Sequence, residues 1–308
     1  MNKYTFIIKS FVYLCNRKNI AAVGLVHYKL MRKIGARRSE WAAPVCPAAV
    51  TVLRRLRSCG GYFSEMFFLY IFTFMDKDEI ETLKADAGDI FQIFDSCSPF
   101  GNNGSFNGEL VKSCIHKIAS RLLDEKDCNS LFDWMENNEF FSSPASSRFH
   151  GNVKGGLAAH SLMVVRQCFS FAVPLFENFL LAHKEGNWHF SATDIFLAAI
   201  AHDFCKAGFY STEYRKTKNF EGNWVYEPYF KVKSGNRNLG HGNESVLVFL
   251  SIFPQYINNR PVLEAISRHM GFSDLSENES FNYSVFLENP LVILLQLADQ
   301  TASQWFNL

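Results

Sequence analysis

The sequence has no apolar run long enough to cross a membrane. Its most apolar stretch, Met66 to Met75, covers about ten residues, well short of the roughly 20 that a spanning helix needs. The N-terminal stretch MNKYTFIIKSFVYLC is interrupted by Lys9 and is followed by no clean small-residue cleavage site, so no secretory signal is expected. Net charge is nearly absent, at +1 over 308 residues, which removes any global electrostatic reason to bind nucleic acid or a membrane surface. None of the eight cysteines forms a CxxC pair. Free thiols in a reducing cytoplasm are the expectation, rather than a disulfide framework or a thiolate zinc site. No internal repeat or low-complexity tract interrupts the chain.

The near-zero charge hides an asymmetry. Residues 1–75 hold 12 Lys and Arg against Glu40 and Glu65, which leaves 19 basic and 28 acidic side chains in residues 76–308. Residues 1–75 also lack a clear hydrophobic period. They read as a basic extension, disordered or upstream of a natural start at Met75, where DKDEIETLKADAGDIFQIF opens as a fresh helix with an acidic first turn. Residues 76–149 read as a helical lead-in. Within it Leu110, Val111, Cys114, Ile115, Ile118 and Leu122 recur near a 3.6-residue period, before the Ser-, Gly- and Pro-rich stretch FFSSPASSRFHGNVKGG, which reads as a loop.

From Leu157 onward the pattern is helix after helix. LAAHSLMVVRQCFSFAV is one; SATDIFLAAIAHDFC is another, with Ser191 and Asp194 spaced as a capping box. Helices follow at HGNESVLVFLSIF, at RPVLEAISRHM, ended by Gly271, and at PLVILLQLADQTASQWF, capped by Asn289 with Pro290 in the first turn. Between them, alternating aromatics around Glu221-Gly222-Asn223 predict a β-hairpin. The fold class expected is all-α with a small β-hairpin insertion, over residues 150–308.

Chemistry-bearing residues are distributed over these helices. His202 and Asp203 are adjacent, and neighbours on a helix point about 100° apart, so both face one metal only if a helix end presents them to it. His160 lies in an apolar helix, His241 opens one, His269 ends one, and Asp299 sits deep in another. Alone, His160 reads as a satisfied core histidine, and Asp299 as half of a buried ion pair or as a ligand. His150 stands near the Gly-Gly loop, His116 reads as a partly buried helix residue, and His183 and His189 as ordinary surface residues. Imidazole and carboxylate donors together suit Mn, Fe, Co, Ni or Zn, with Mg at a more oxygen-rich site.

In order, His160, His202-Asp203 and Asp299 resemble the H…HD…D signature of the HD phosphohydrolase superfamily. The flanking GGLAAHS, AHDFCKAGFY, GHGNES and RHMG segments are similar to further motifs of that superfamily. The runs FFSSPAS…H…GGL and YRKTKN…W…Y…GHG…S resemble a phage- and bacteria-associated HD subgroup, and the HD domain of certain bacterial 3′-to-5′ exoribonucleases. The match spans roughly residues 140–305. The resemblance implies an HD-domain helical bundle in which His160, His202, Asp203 and Asp299 hold a first divalent metal. His241 and His269 complete a second, with Asp203 bridging, so that one or two ions bind. Lys206 would reach a phosphate oxygen, giving Lys206 and Asp203 catalytic roles. Two features depart from the family pattern: Ala159 stands where an acidic residue often precedes the first His, and Cys205 where Gly is common. Tyr214, Arg215, Lys216 and Lys218 form a basic, aromatic segment suited to gripping phosphate or base, and Arg237 and Arg268 are similar candidates. The expectation is a cytoplasmic metal-dependent phosphohydrolase acting on a phosphate-bearing substrate, a nucleotide or nucleic acid. The alternative is a non-catalytic metal- or nucleotide-binding regulatory module.

Overall fold

A computed structural model describes residues 61–182, 190–233, 239–274 and 283–308, with side chains from residue 79 onward and without that of Asn103. His183, His189 and Arg237 lie outside the described residues, as does the expected basic extension up to residue 60. The chain divides between Phe72 and Thr73, and the following account concerns the unit Thr73–Leu308.

The unit is mainly helical with one small antiparallel sheet. In chain order it contains α1 (Gly61–Cys97, which begins before the division), α2 (Gly108–Leu122), α3 (Glu125–Asn137), α4 (Gly156–Ala182), α5 (Ala192–Ala201), β1 (Tyr210–Lys218), β2 (Trp224–Val232), α6 (His241–Ile252), α7 (Arg260–Arg268) and α8 (Pro290–Trp305). Caps set many of the boundaries. Asn107 accepts from the backbone of Glu109 and Leu110 to start α2. Ser191 and Asp194 form a full capping box on α5. Asn289 accepts from the Leu291 amide at the start of α8, with Pro290 as its first residue. Each side-chain oxygen satisfies backbone N–H groups that a helix N-terminus leaves without partners.

Three expectations differ from the structure. α1 does not start after Met75 but runs unbroken from Gly61. On α2, Val111, Cys114, Ile115 and Ile118 are buried as the period predicts, but Leu110 is 39% exposed; it sits in the first turn, at the edge of the apolar stripe. α4 does not stop at Val173 but continues through Pro174 to Ala182. Proline removes one backbone hydrogen bond there. The added turns bury Phe176, whose ring packs edge-on to Phe190 at 5.0 Å.

Two helices form the centre. In α5, ATDIFLAAIA, every residue but Thr193 and Asp194 is buried, the mark of a helix surrounded by core rather than one laid on it. Against the expectation of no stretch of membrane-spanning length, α4 is one described helix long and apolar enough to cross a bilayer; 78% of its apolar window is buried inside the protein, as in a core helix. α8 packs along α4, α4 against α5, and α7 against α5, α6 and α8.

Two details of this packing bring distant residues together. Asn259, the N-cap of α7, donates to Asp194 in the first turn of α5 at 2.9 Å, so α5 and α7 begin side by side. They contain 10 and 9 residues, or about 15 and 13.5 Å of rise, and they therefore end side by side. The second is Gly242 in the first turn of α6. A Cβ there would lie 2.0 Å from the Ser267 carbonyl oxygen in the last turn of α7, so its hydrogen lets the two helix ends meet.

Candidate metal centre

The paired ends of α5 and α7 carry His202 and His269 as their C-cap residues. The last carbonyls of a helix have no intrahelical partner, and each histidine satisfies one. His202 Nδ1 lies 2.7 Å from the Ala199 carbonyl oxygen, and His269 Nδ1 2.8 Å from that of Ile266. His160, in the second turn of α4, does the same at long range, with Nδ1 2.8 Å from the carbonyl oxygen of Leu308. A carbonyl only accepts, so all three Nδ1 atoms carry the proton. In the neutral ring Nε2 then holds a lone pair, and all three Nε2 atoms turn inward.

Asp203 and Asp299 complete the cluster. Asp203 follows the C-cap residue of α5, with φ −113° and ψ 20°, and leaving helical geometry is what lets it face the same centre as His202. Asp299 reaches in from the middle of α8. His160 Nε2 is 3.1 Å from His202 Nε2 and 3.2 Å from Asp299 Oδ1; His202 Nε2 is 3.3 Å from Asp203 Oδ2. Asp203 Oδ1 and His269 Nε2 face each other at 3.6 Å, beyond hydrogen-bond reach, and both are buried without a hydrogen-bond partner.

These atoms form two groups, His160–His202–Asp299 and His202–Asp203–His269, in each of which the donor atoms lie within 4.8 Å of one another. His160 and His202 are the informative pair. With Nδ1 of each ring donating to a carbonyl, two Nε2 atoms at 3.1 Å need either a shared proton or a metal cation between them. A metal with bonds of about 2.1 Å sets neighbouring ligands about 3.0 Å apart at right angles and about 3.4 Å apart in a tetrahedron, which spans the three short separations. The orphaned Asp203 Oδ1 and His269 Nε2 supply further unused donors. The donor set fits a divalent ion by chemistry as well as by spacing.

The charges are mutually adjusted. Burial drives the carboxyl of Asp203 up, but the Lys206 ammonium and the His202 ring overcome it and hold the group well below the usual carboxylate range. Asp299 behaves alike: burial is outweighed by the hydrogen bond and charge of His160 and by the other two imidazoles. Burial lowers His202, against the pull of Asp203, and so favours the neutral ring that binds metal. For His269, burial is outweighed by Asp203 and Asp299, and its pKa rises.

Comparison with known protein families, curated proteins and solved structures finds no match. The chemistry of the site is therefore read from its own geometry.

The other expected site residues are placed as follows. Lys206, on the 3-10 turn Phe204–Lys206, points its ammonium at Asp203 Oδ2 at 2.6 Å. That contact gives it a carboxylate partner inside the cluster. Burial would lower its pKa, but Asp203 outweighs burial and raises it, so it stays charged. His241 joins neither group; its ring is half-buried at the start of α6, with Nδ1 3.8 Å from the Cys205 thiol. Tyr214, Arg215, Lys216 and Lys218 lie on β1. Arg268 stacks on Phe286, 4.6 Å from the ring centroid, and His116 packs against Phe132.

Sequence reasoning missed the carbonyl of Leu308, which leaves no trace in residue type. It left His150 ambiguous. That ring packs 4.9 Å from the ring of His160, and its Nε2 is buried without a partner. Burial first, then the charges of His160 and Lys206, bring its pKa down to about 4, so it is neutral at physiological pH. Nearby, a Cβ on Gly156 would lie 2.0 Å from the Gly151 carbonyl oxygen. The pair Gly155-Gly156 thus folds the His150 loop tightly against the start of α4.

Proposed function

We propose that the protein is a divalent-metal-dependent phosphohydrolase of the HD type, which cleaves a phosphoester of a nucleotide or nucleic acid. The observation that carries this reading is the inward-facing set of three Nε2 atoms and two carboxylates, with two buried donors left unpaired. Five such groups from four helices are costly to bury unless a cation gathers them.

His160, His202, Asp203, Asp299 and His269 would hold the metal, as one ion or as two sharing His202. A bound divalent ion supplies a water that is acidic enough to be a nucleophile at neutral pH. The chain's own residues do the rest. The carbonyls of Leu308, Ala199 and Ile266 fix the three imidazoles as Nε2 donors, which also raises their basicity. Lys206 balances the charge of Asp203, and its ammonium stands one residue contact from the centre, where a phosphoryl oxygen would need a positive partner. His150, neutral and unpaired at Nε2, can accept a proton or donate a hydrogen bond to a group bound beside His160.

The test is a panel of phosphomonoesters, phosphodiesters and nucleotides assayed with Mn²⁺. Turnover is expected, and His202→Ala and Asp203→Ala should each abolish metal binding and turnover together. Activity that survives both substitutions refutes the assignment. Nucleotide binding without any turnover would favour the regulatory module instead.

A further inference from the structure

The β1–β2 hairpin sorts its side chains by face. In its antiparallel register Tyr214 opposes Pro228, Lys216 opposes Tyr226 and Lys218 opposes Trp224, and residues directly opposite share a face. On this face Tyr214 is 67%, Trp224 60% and Tyr226 70% exposed. The ammonium groups of Lys216 and Lys218 lie 5.3 and 5.1 Å from the Trp224 ring centroid. The reverse face is closed on itself. There Tyr229 donates to Glu213 at 2.5 Å, Lys231 pairs with Glu213 at 3.2 Å, and Arg215 stacks on Tyr229. Arg215, expected to act with its neighbours, thus stands on the other side of the sheet. The acidic residues of the two strands, Glu213 and Glu227, are all on that reverse face, since each lies an odd number of residues from Tyr214 or Tyr226 along its strand.

We infer that the Tyr214–Trp224–Tyr226 face is a stacking platform for the bases of a single-stranded nucleic acid, with Lys216 and Lys218 beside its phosphates; this rests on the phosphohydrolase reading and names its substrate class. Three exposed rings and two lysines on a face without acid match the combination that holds single strands without reading their sequence. Length separates a strand from a mononucleotide. Tyr210, at the base of β1, follows Lys206 by only four residues, and Lys206 contacts Asp203, so the hairpin springs from the edge of the metal centre. At about 3.4 Å per residue, Tyr214 stands about 14 Å and Lys218, with Trp224 opposite, about 27 Å from Tyr210 along the strand. A mononucleotide in the centre ends short of Trp224, whereas a strand of several nucleotides reaches it.

The platform is tested apart from catalysis by anisotropy of a labelled oligouridylate of about a dozen nucleotides on the full chain in chelator. The parent should bind it. Trp224→Ala and Tyr226→Ala should each weaken binding about 5- to 150-fold, the loss of one stacked base. The double variant Lys216→Ala, Lys218→Ala should flatten the slope of log affinity against log salt by about 1.4. The parent is also assayed on a small phosphodiester, bis(p-nitrophenyl) phosphate. No oligonucleotide binding by the parent, or binding unchanged in the ring variants, overturns the inference. So does binding that goes instead to phosphatidylserine vesicles and is lost in the same variants. A parent that binds the strand but turns over no phosphoester leaves the platform standing and sinks the hydrolase; turnover of the small ester without strand binding does the reverse.

Discussion

Replacing Lys206 by Met removes the ammonium that lies 2.6 Å from Asp203 Oδ2. Asp203 is almost wholly buried, and the Lys206 side chain is 12% exposed. Breaking a buried pair from one side leaves an uncompensated charge and costs about 3–5 kcal/mol. Here His202 and His269 remain beside the carboxylate and take up part of its charge, so the lower end, about 3 kcal/mol, is expected in the metal-free protein. For a unit of this size that corresponds to a fall in Tm of about 6–12 °C. A divalent ion among the same atoms restores positive charge next to Asp203, so in saturating Mn²⁺ the fall should shrink to about a third of that or less. Thermal unfolding of parent and Lys206→Met, each in chelator and in Mn²⁺, reads all four states. The double variant Asp203→Leu, Lys206→Met should regain most of the lost stability in chelator, because removing both partners leaves no unpaired charge at that contact. An unchanged Tm for Lys206→Met in chelator, or the same fall with and without metal, would refute the reasoning.

Three further outcomes are expected. Deleting Phe306–Leu308 removes the acceptor of His160 Nδ1 and should weaken metal binding about 10- to 100-fold, the usual effect of losing such a supporting hydrogen bond; calorimetry with Mn²⁺ checks it. Gly242→Ala sets a methyl group 2.0 Å from the Ser267 carbonyl oxygen and should cost about 1–3 kcal/mol and loosen His269, seen as a lower denaturation midpoint together with weaker metal binding. Tyr256 is held up to about 12 by burial and then by Asp194 and Asp127, whereas the unfolded phenol ionises near pH 10. Between these values the unfolded state loses a proton that the folded state keeps, so stability falls as pH rises from about 10 towards 12. Denaturation series across that range should show the slope, and Tyr256→Phe should make it shallower, leaving the parallel contribution of Lys206, whose pKa is also raised on folding.

Local signals in the sequence carry far. Ser191 with Asp194, Asn289 with Pro290, and the turn at Glu221-Gly222-Asn223 act within a few residues, and each stands where its chemistry predicts. The placement of His202 and Asp203 is also local: the pair spans a helix end, the one place where adjacent side chains can converge. What is not legible depends on residues far apart in the chain. The partner of His160 Nδ1 is a backbone carbonyl 148 residues away, and any residue type could supply it. His241, expected as a ligand by resemblance, lies beside Cys205 and joins neither group of donor atoms, a placement its local sequence does not reveal. The start of α1 was misread because an acidic turn resembles a helix start even when the helix already runs through it. Arg215 was grouped with Lys216 and Lys218 by sequence proximity, although the two-residue alternation of a strand already separates it from them.

The metal content of the purified full chain tests the central claim most directly. After loading with Mn²⁺, Co²⁺ or Zn²⁺ and removal of excess, elemental analysis and native mass spectrometry should find at least one divalent ion per chain. That ion should be lost in His202→Ala and Asp203→Ala, with both variants folded by circular dichroism. A parent chain that retains no divalent ion, or variants that hold it as tightly as the parent, would contradict the reading of His160, His202, Asp203, His269 and Asp299 as a metal centre.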